Sequence, residues 1–177
     1  MRLISVLILA VMCFSWAISG EVAVDLDRAA MIMPDNEDPD IYGPRIAVHF
    51  SLPEVVDGAD ITFAELYVPL ANIDFQYDGD GILEIQAQNI SSDWSEENAA
   101  DFNDVDSSTF YTYTIDLSAG EAIHMDITEF IKSLASEEAD NFGLMLMPIK
   151  LDQNVFQFPR NIISLFSNSA RVKIVYE

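Results

Sequence analysis

Polar and apolar residues alternate over most of the chain. Glu21-Val22-Ala23-Val24-Asp25-Leu26 reads as a first strand, and Arg45 to Phe50 as a second, with Ile46, Val48 and Phe50 on one face and Arg45 and His49 on the other. Ala64, Leu66, Val68 and Leu70 set the inward row of a third strand, with Glu65 and Tyr67 opposite. A fourth places Leu83, Ile85 and Ala87 inward against Glu84, Gln86 and Gln88 outward. Pro53, Asp57-Gly58 and Asp78-Gly79-Asp80-Gly81 punctuate these runs as turns, the last as a hairpin, and Ser91 to Ser108 reads as a long loop. Thr109 to Leu117 returns to strand, with Tyr111, Tyr113, Ile115 and Leu117 on the core side. Further strands are expected at Ala122-Met125, Gly143-Ile149, Val155-Phe158, Ile162-Phe166 and Arg171-Tyr176. One segment alone has helical spacing: Ile127, Phe130, Ile131 and Leu134 stand at i, i+3, i+4 and i+7, with Asp126 as the expected N-cap and Glu129 three residues on. Many short strands and one short helix predict an all-β sandwich or barrel.

The first twenty residues follow a different rule. Arg2 precedes an unbroken apolar run from Leu3 to Phe14, and Ala17 and Ser19 supply small residues before a cut after Ser19 or Gly20. That is the pattern of a secretory signal peptide, 1–20, ahead of a single domain, 21–177. The run is shorter than the roughly 20 apolar residues of a spanning helix, so no stable membrane insertion is expected after cleavage. Ala10-Val11-Met12 before Cys13 is a poor lipobox. The expected location is extracellular, periplasmic or at the cell surface.

Cys13 is the only cysteine and leaves with the signal, so the fold is held by its core rather than by disulfides. The net charge is −22, from 8 Lys+Arg against 30 Asp+Glu, and becomes one unit more negative without Arg2. This disfavours nucleic acid and anionic membranes as partners. It also points to a saline habitat or a divalent-cation-rich surface, or simply to solubility. The clusters Asp35, Asp38, Asp40 and Asp101, Asp104, Asp106 are the candidate oxygen ligands for a structural calcium ion, while Asp78-Gly79-Asp80-Gly81 lacks the closing glutamate of an EF-hand.

Four ordered pieces carry a family resemblance. They are His49-Phe50-Ser51-Leu52-Pro53 followed by Gly58-Ala59-Asp60-Ile61-Thr62-Phe63-Ala64-Glu65-Leu66-Tyr67-Val68; Ser92-Asp93-Trp94-Ser95-Glu96; Ile123-His124-Met125-Asp126-Ile127-Thr128-Glu129-Phe130-Ile131 with Asn141-Phe142-Gly143-Leu144-Met145-Leu146; and Ser164-Leu165-Phe166-Ser167 with Ala170 to Tyr176. In this order they resemble the DNRLRE family of exported, jelly-roll-like modules, over roughly Ile41 to Glu177. The chain departs from it in having Glu97-Asn98-Ala99-Ala100 in place of a second tryptophan, Ser133-Leu134 where the helix often has another, and no proline before the last strand. The resemblance implies an all-β fold, a jelly-roll-like antiparallel β-sandwich with one short helix, serving as a carbohydrate-binding or surface module, with a polysaccharide or glycan, or a cell-surface protein, as partner.

Catalytic patterns are scarce. Neither His49 nor His124 has a nucleophile or metal motif beside it, no phosphate loop is visible, and no carboxylate pair stands out among so many acids. The expectation is a non-enzyme. The candidate ligand-binding residues are Tyr67, Glu65, Glu84, Gln86, Gln88 and His49, read with Arg45 as one hydrogen-bonding sheet face, together with Trp94. Trp94 could stack on a sugar ring, but the stronger expectation is that it caps the sandwich core. The alternative function is a structural or adhesive protein binding a protein partner or itself.

Overall fold

The computed structural model describes residues 19–32, 45–69, 82–95, 104–116, 122–148, 166 and 168–177. The Asp78–Gly81 hairpin, the strand at Val155–Phe158, the Leu83 side chain and most of the Ile162–Phe166 segment lie outside that set. Nine strands are described: β1 (Gly20–Asp25), β2 (Arg28–Ile32), β3 (Arg45–His49), β4 (Ile61–Pro69), β5 (Ile82–Ile90), β6 (Val105–Asp116), β7 (Ala122–Asp126), β8 (Leu144–Pro148) and β9 (Arg171–Tyr176). They form two antiparallel sheets, β1-β9-β4-β7 and β2-β3-β8-β5-β6. Without the extra edge strand β2, the remaining eight strands in chain order run first-eighth-third-sixth in one sheet and second-seventh-fourth-fifth in the other. This is the double Greek key of a jelly roll, one of the sandwiches that the alternation allows and the one that the resemblance implies.

The inward rows meet in one core. Ile46, Val48, Leu66, Val68, Ile85, Ile123, Leu144, Val172 and Ile174 are all fully buried there, with Tyr111 and Tyr113 packed against them. The helix α1 (Thr128–Ala135) links β7 to β8 and closes one end, its Phe130 meeting Phe50 edge to face at 6.1 Å. The start of α1 is tied to β4: Thr128 Oγ1 accepts from the Ala64 amide at 2.9 Å, and the Ile127 amide donates to the Ala64 carbonyl at 3.0 Å. Asp126 does accept the Thr128 amide, at 2.9 Å, but the backbone N-cap is Ile127, and Glu129 pairs with Lys132 instead of reaching back. The capping box expected here is therefore absent.

Three other expectations change. β6 begins at Val105, so the Ser91–Ser108 loop is shorter than read, and the β5–β6 register shifts between Gln88 and Asn89. β2 was not anticipated. Phe166 is buried in a helical conformation rather than a strand.

A second apolar layer lies on the outside of the five-stranded sheet. Ala30, Ile32, Ala47, Ile90 and Met145 point away from the main core, and the segment after β5 folds back to lay Trp94 over them at 1% exposure. Trp94 thus caps this outer layer and not the space between the sheets. Its indole Nε1 donates to the Phe142 carbonyl at 2.8 Å, and the Arg28 guanidinium stacks 4.9 Å from the ring centroid while donating to the Trp94 carbonyl. Next to Phe142, Gly143 has φ +96°, and a Cβ there would stand 2.0 Å from the Val48 carbonyl oxygen, so only glycine lets β8 approach β3.

Candidate functional site

The proposed single row of outward polar residues is divided between opposite sides of the sandwich. Glu65 and Tyr67, on β4, face out from the four-stranded sheet. Arg45 and His49 on β3 and Glu84, Gln86 and Gln88 on β5 face out from the five-stranded sheet. Alternation fixes in or out for each strand but does not say which sheet the strand joins.

The five-stranded side offers less than its sequence implies. Arg45 is 5% exposed and Gln88 8%, because the layer under Trp94 extends across this face. Glu84 and Gln86 are half-buried, opposite Thr114 and Thr112 of β6. His49 is a structural tie: its Nε2 lies 3.3 Å from the Asn141 carbonyl, and its Nδ1 3.2 Å from Asp27 Oδ2, an ion-pair distance without hydrogen-bond alignment. Asn141 in turn donates to the Phe50 carbonyl at 2.7 Å.

The four-stranded side gathers a connected polar cluster. Antiparallel register sets Glu65 of β4 beside Lys173 of β9, and Tyr67 between Arg171 of β9 and His124 of β7. One Glu65 oxygen accepts from Lys173 Nζ at 3.0 Å, and the other lies 2.9 Å from His124 Nδ1. Burial raises the Glu65 carboxyl, but the hydrogen bonds and charges of His124 and Lys173 outweigh it and hold the pKa below the usual glutamate value. An ionised carboxylate can only accept, so His124 donates through Nδ1. In its neutral form this leaves Nε2 to accept from a ligand hydroxyl. Lys173 Nζ stands 4.1 Å from the Tyr67 ring centroid and the His124 ring 5.2 Å from it, which fixes the tyrosine's orientation. Arg171 pairs with Asp25 of β1 at 3.1 Å.

Sequence reading missed Lys173, Arg171 and the contribution of His124 to this cluster. The available signal was alternation on β9, which turns Arg171 and Lys173 outward; what it lacks is the pairing of β9 with β4.

For the calcium candidates, Asp35, Asp38, Asp40 and Asp101 lie outside the described residues. Asp104 accepts from Ser92 Oγ at 2.8 Å, and Asp106 sits on β6 opposite Asn89. Among the described residues, no group of three or more His, Cys, Asp or Glu side chains is placed to hold a metal ion. An open cleft of about 420 Å³ beside α1 is edged by Asp60, Glu129, Lys132 and Glu138, with Lys132 and Glu129 paired across 2.9 Å. No helix among the described residues is long and apolar enough to cross a membrane. No protein-family model and no curated protein matches the chain.

Proposed function

We propose that this chain is an exported, non-catalytic module related to the DNRLRE family, which binds carbohydrate on the outer face of its four-stranded sheet. The observation that carries this reading is the Glu65–His124–Lys173–Tyr67 cluster. An aromatic ring is held in place beside hydrogen-bonding groups on an open sheet face, while half of the opposite face is roofed by Trp94. Rigid side chains lose little entropy on binding, so such a site suits a weakly bound, hydroxyl-rich ligand. Glu65 spends its charge on Lys173 and His124, which also argues for binding over acid–base chemistry. A glycan array run with and without calcium tests the reading. Retention of a glycan that Tyr67→Ala abolishes, with the fold intact, supports it; no retention under either condition overturns it.

A second reading, a structural or adhesive surface protein that binds a partner or itself, is favoured by β6. It is an edge strand among the described residues, and Ser107 to Ile115 carries no charge in a chain of net charge −22. β6 carries charge only near its ends, Asp106 and Asp116, so its uncharged run is longer than any on the other described edges, which hold Glu21 and Asp25, Arg28, or Asp126, the kind of charge that blunts strand-to-strand association. Sedimentation in low and high salt separates the two readings, since edge pairing would appear as dimers once charge repulsion is screened.

A further inference from the structure

We infer that Phe63 forms a second aromatic subsite on the same face, and that the ligand is an extended neutral glycan lying along β4. This rests on the carbohydrate-binding reading above. The observation is a bulge. Ile61 pairs with Tyr176 and Phe63 with Val175, so Thr62 is an extra residue in β4. In an unbroken strand Ile61 would share the outward face of Phe63, Glu65 and Tyr67. With the bulge, Ile61 turns into the core at 2% exposure, while Phe63, which alternation places on the outer row with Glu65 and Tyr67, stands open to solvent at 41%. The bulge thus re-aims Ile61 and leaves Phe63 as the exposed end of the outer row. Thr62 Oγ1 donates to the Val175 carbonyl at 3.2 Å, tying the bulged residue to β9.

Phe63 is one of only two large apolar side chains that stand exposed among the described residues. Tyr67 lies four positions further on, a spacing of about 13 Å along a strand. The two rings would take the apolar faces of two well-separated sugars of one chain. Glu65, Lys173 and His124 lie on the same face between and beside them, where hydroxyls of the intervening sugars would find partners. The ligand is neutral because the cations of this face are already committed: Lys173 to Glu65, Arg171 to Asp25. A polyanion would meet the field of a chain with net charge −22, and Lys173 and Arg171, the described cations of this face, are already paired with carboxylates.

Isothermal titration of the full secreted chain with cello-, manno- and xylohexaose and with uronate hexasaccharides tests this, using wild type, Phe63→Ala and Tyr67→Ala. Circular dichroism and melting temperature report on folding of each. The expected result is binding of a neutral hexasaccharide, weakened roughly tenfold or more by each substitution, with melting temperatures unchanged. Binding of a neutral glycan that is lost in Tyr67→Ala but kept in Phe63→Ala would overturn the second subsite and leave the carbohydrate reading standing. So would binding of uronate oligomers alone overturn the neutral ligand. Binding of no glycan by wild type would remove the underlying reading itself. If Phe63→Ala melts lower, Phe63→Ser and Phe63→Tyr decide between packing and stacking: restored binding in Phe63→Tyr but not Phe63→Ser at equal stability supports stacking, and equal binding in both overturns it.

Discussion

Replacing Trp94 probes whether the outer layer is part of the fold or part of a binding site. Trp94 is 1% exposed, spans Ala30, Ala47, Ile90 and Met145, and donates one hydrogen bond to Phe142. A buried tryptophan covers on the order of 200 Å², worth about 5 kcal/mol at 25 cal/mol per Å². Trp94→Ala should therefore cost about 3–5 kcal/mol, within the usual range for such truncations. Trp94→Phe keeps much of the area but leaves the Phe142 carbonyl without its donor, a loss of about 1–3 kcal/mol. Urea unfolding followed by far-UV circular dichroism measures both, since the fluorescent reporter is removed. In a domain stable by roughly 5–15 kcal/mol, the alanine variant would lose a large part of its stability. A loss below about 1 kcal/mol for Trp94→Ala would refute the reasoning: the layer would then be a detachable flap, and a ligand-stacking role for Trp94 would return.

Other positions give sharper signs. Gly143→Ala should destabilise by about 3–5 kcal/mol in urea unfolding, since it adds backbone strain at φ +96° to a collision with the Val48 carbonyl. Glu137 ends α1 in the left-handed region at φ 56°, so Glu137→Gly should stabilise by about 0.5–1 kcal/mol and raise the melting temperature. The depressed folded pKa of Glu65 means its contribution is present above the unfolded value of 4.5 and is lost as pH falls through the lower folded value; Glu65→Gln should flatten that acid limb in melting curves recorded at successive pH values. Melting temperature should rise between roughly 0.01 and 0.15 M NaCl, as the Debye length falls from about 30 to 8 Å and the acidic surface is screened. A flat profile would show the acids to be spaced too widely to repel.

The elements that read clearly from the sequence are those with one wet face. β4 and β7 alternate buried and exposed because each has solvent on one side. β2 escaped because both its faces are covered: Ala29 packs into the main core while Ala30 and Ile32 lie under Trp94, so Arg28-Ala-Ala-Met-Ile shows no period of two. The same double burial removes Arg45 from the solvent face where alternation put it. Which sheet a strand joins depends on pairings between distant segments. Glu65 meets Lys173 across 108 positions, and no local pattern carries that information. The bulge at Thr62 is likewise a property of the β4–β9 pair; read as a plain strand, the segment puts Phe63 on the row of Glu65 and Tyr67 but would put Ile61 there too.

The most direct test of the account is to map a bound glycan onto the two sheet faces. Backbone and indole chemical shifts of ¹⁵N-labelled protein, titrated with whichever hexasaccharide binds, should move at Phe63, Glu65, Tyr67, His124 and Lys173, on β4, β7 and β9. The indole resonance of Trp94 and the amides of Glu84 and Gln86 should stay still. Shifts concentrated on β5 and at Trp94, with β4 silent, would place the ligand on the five-stranded sheet and contradict the account.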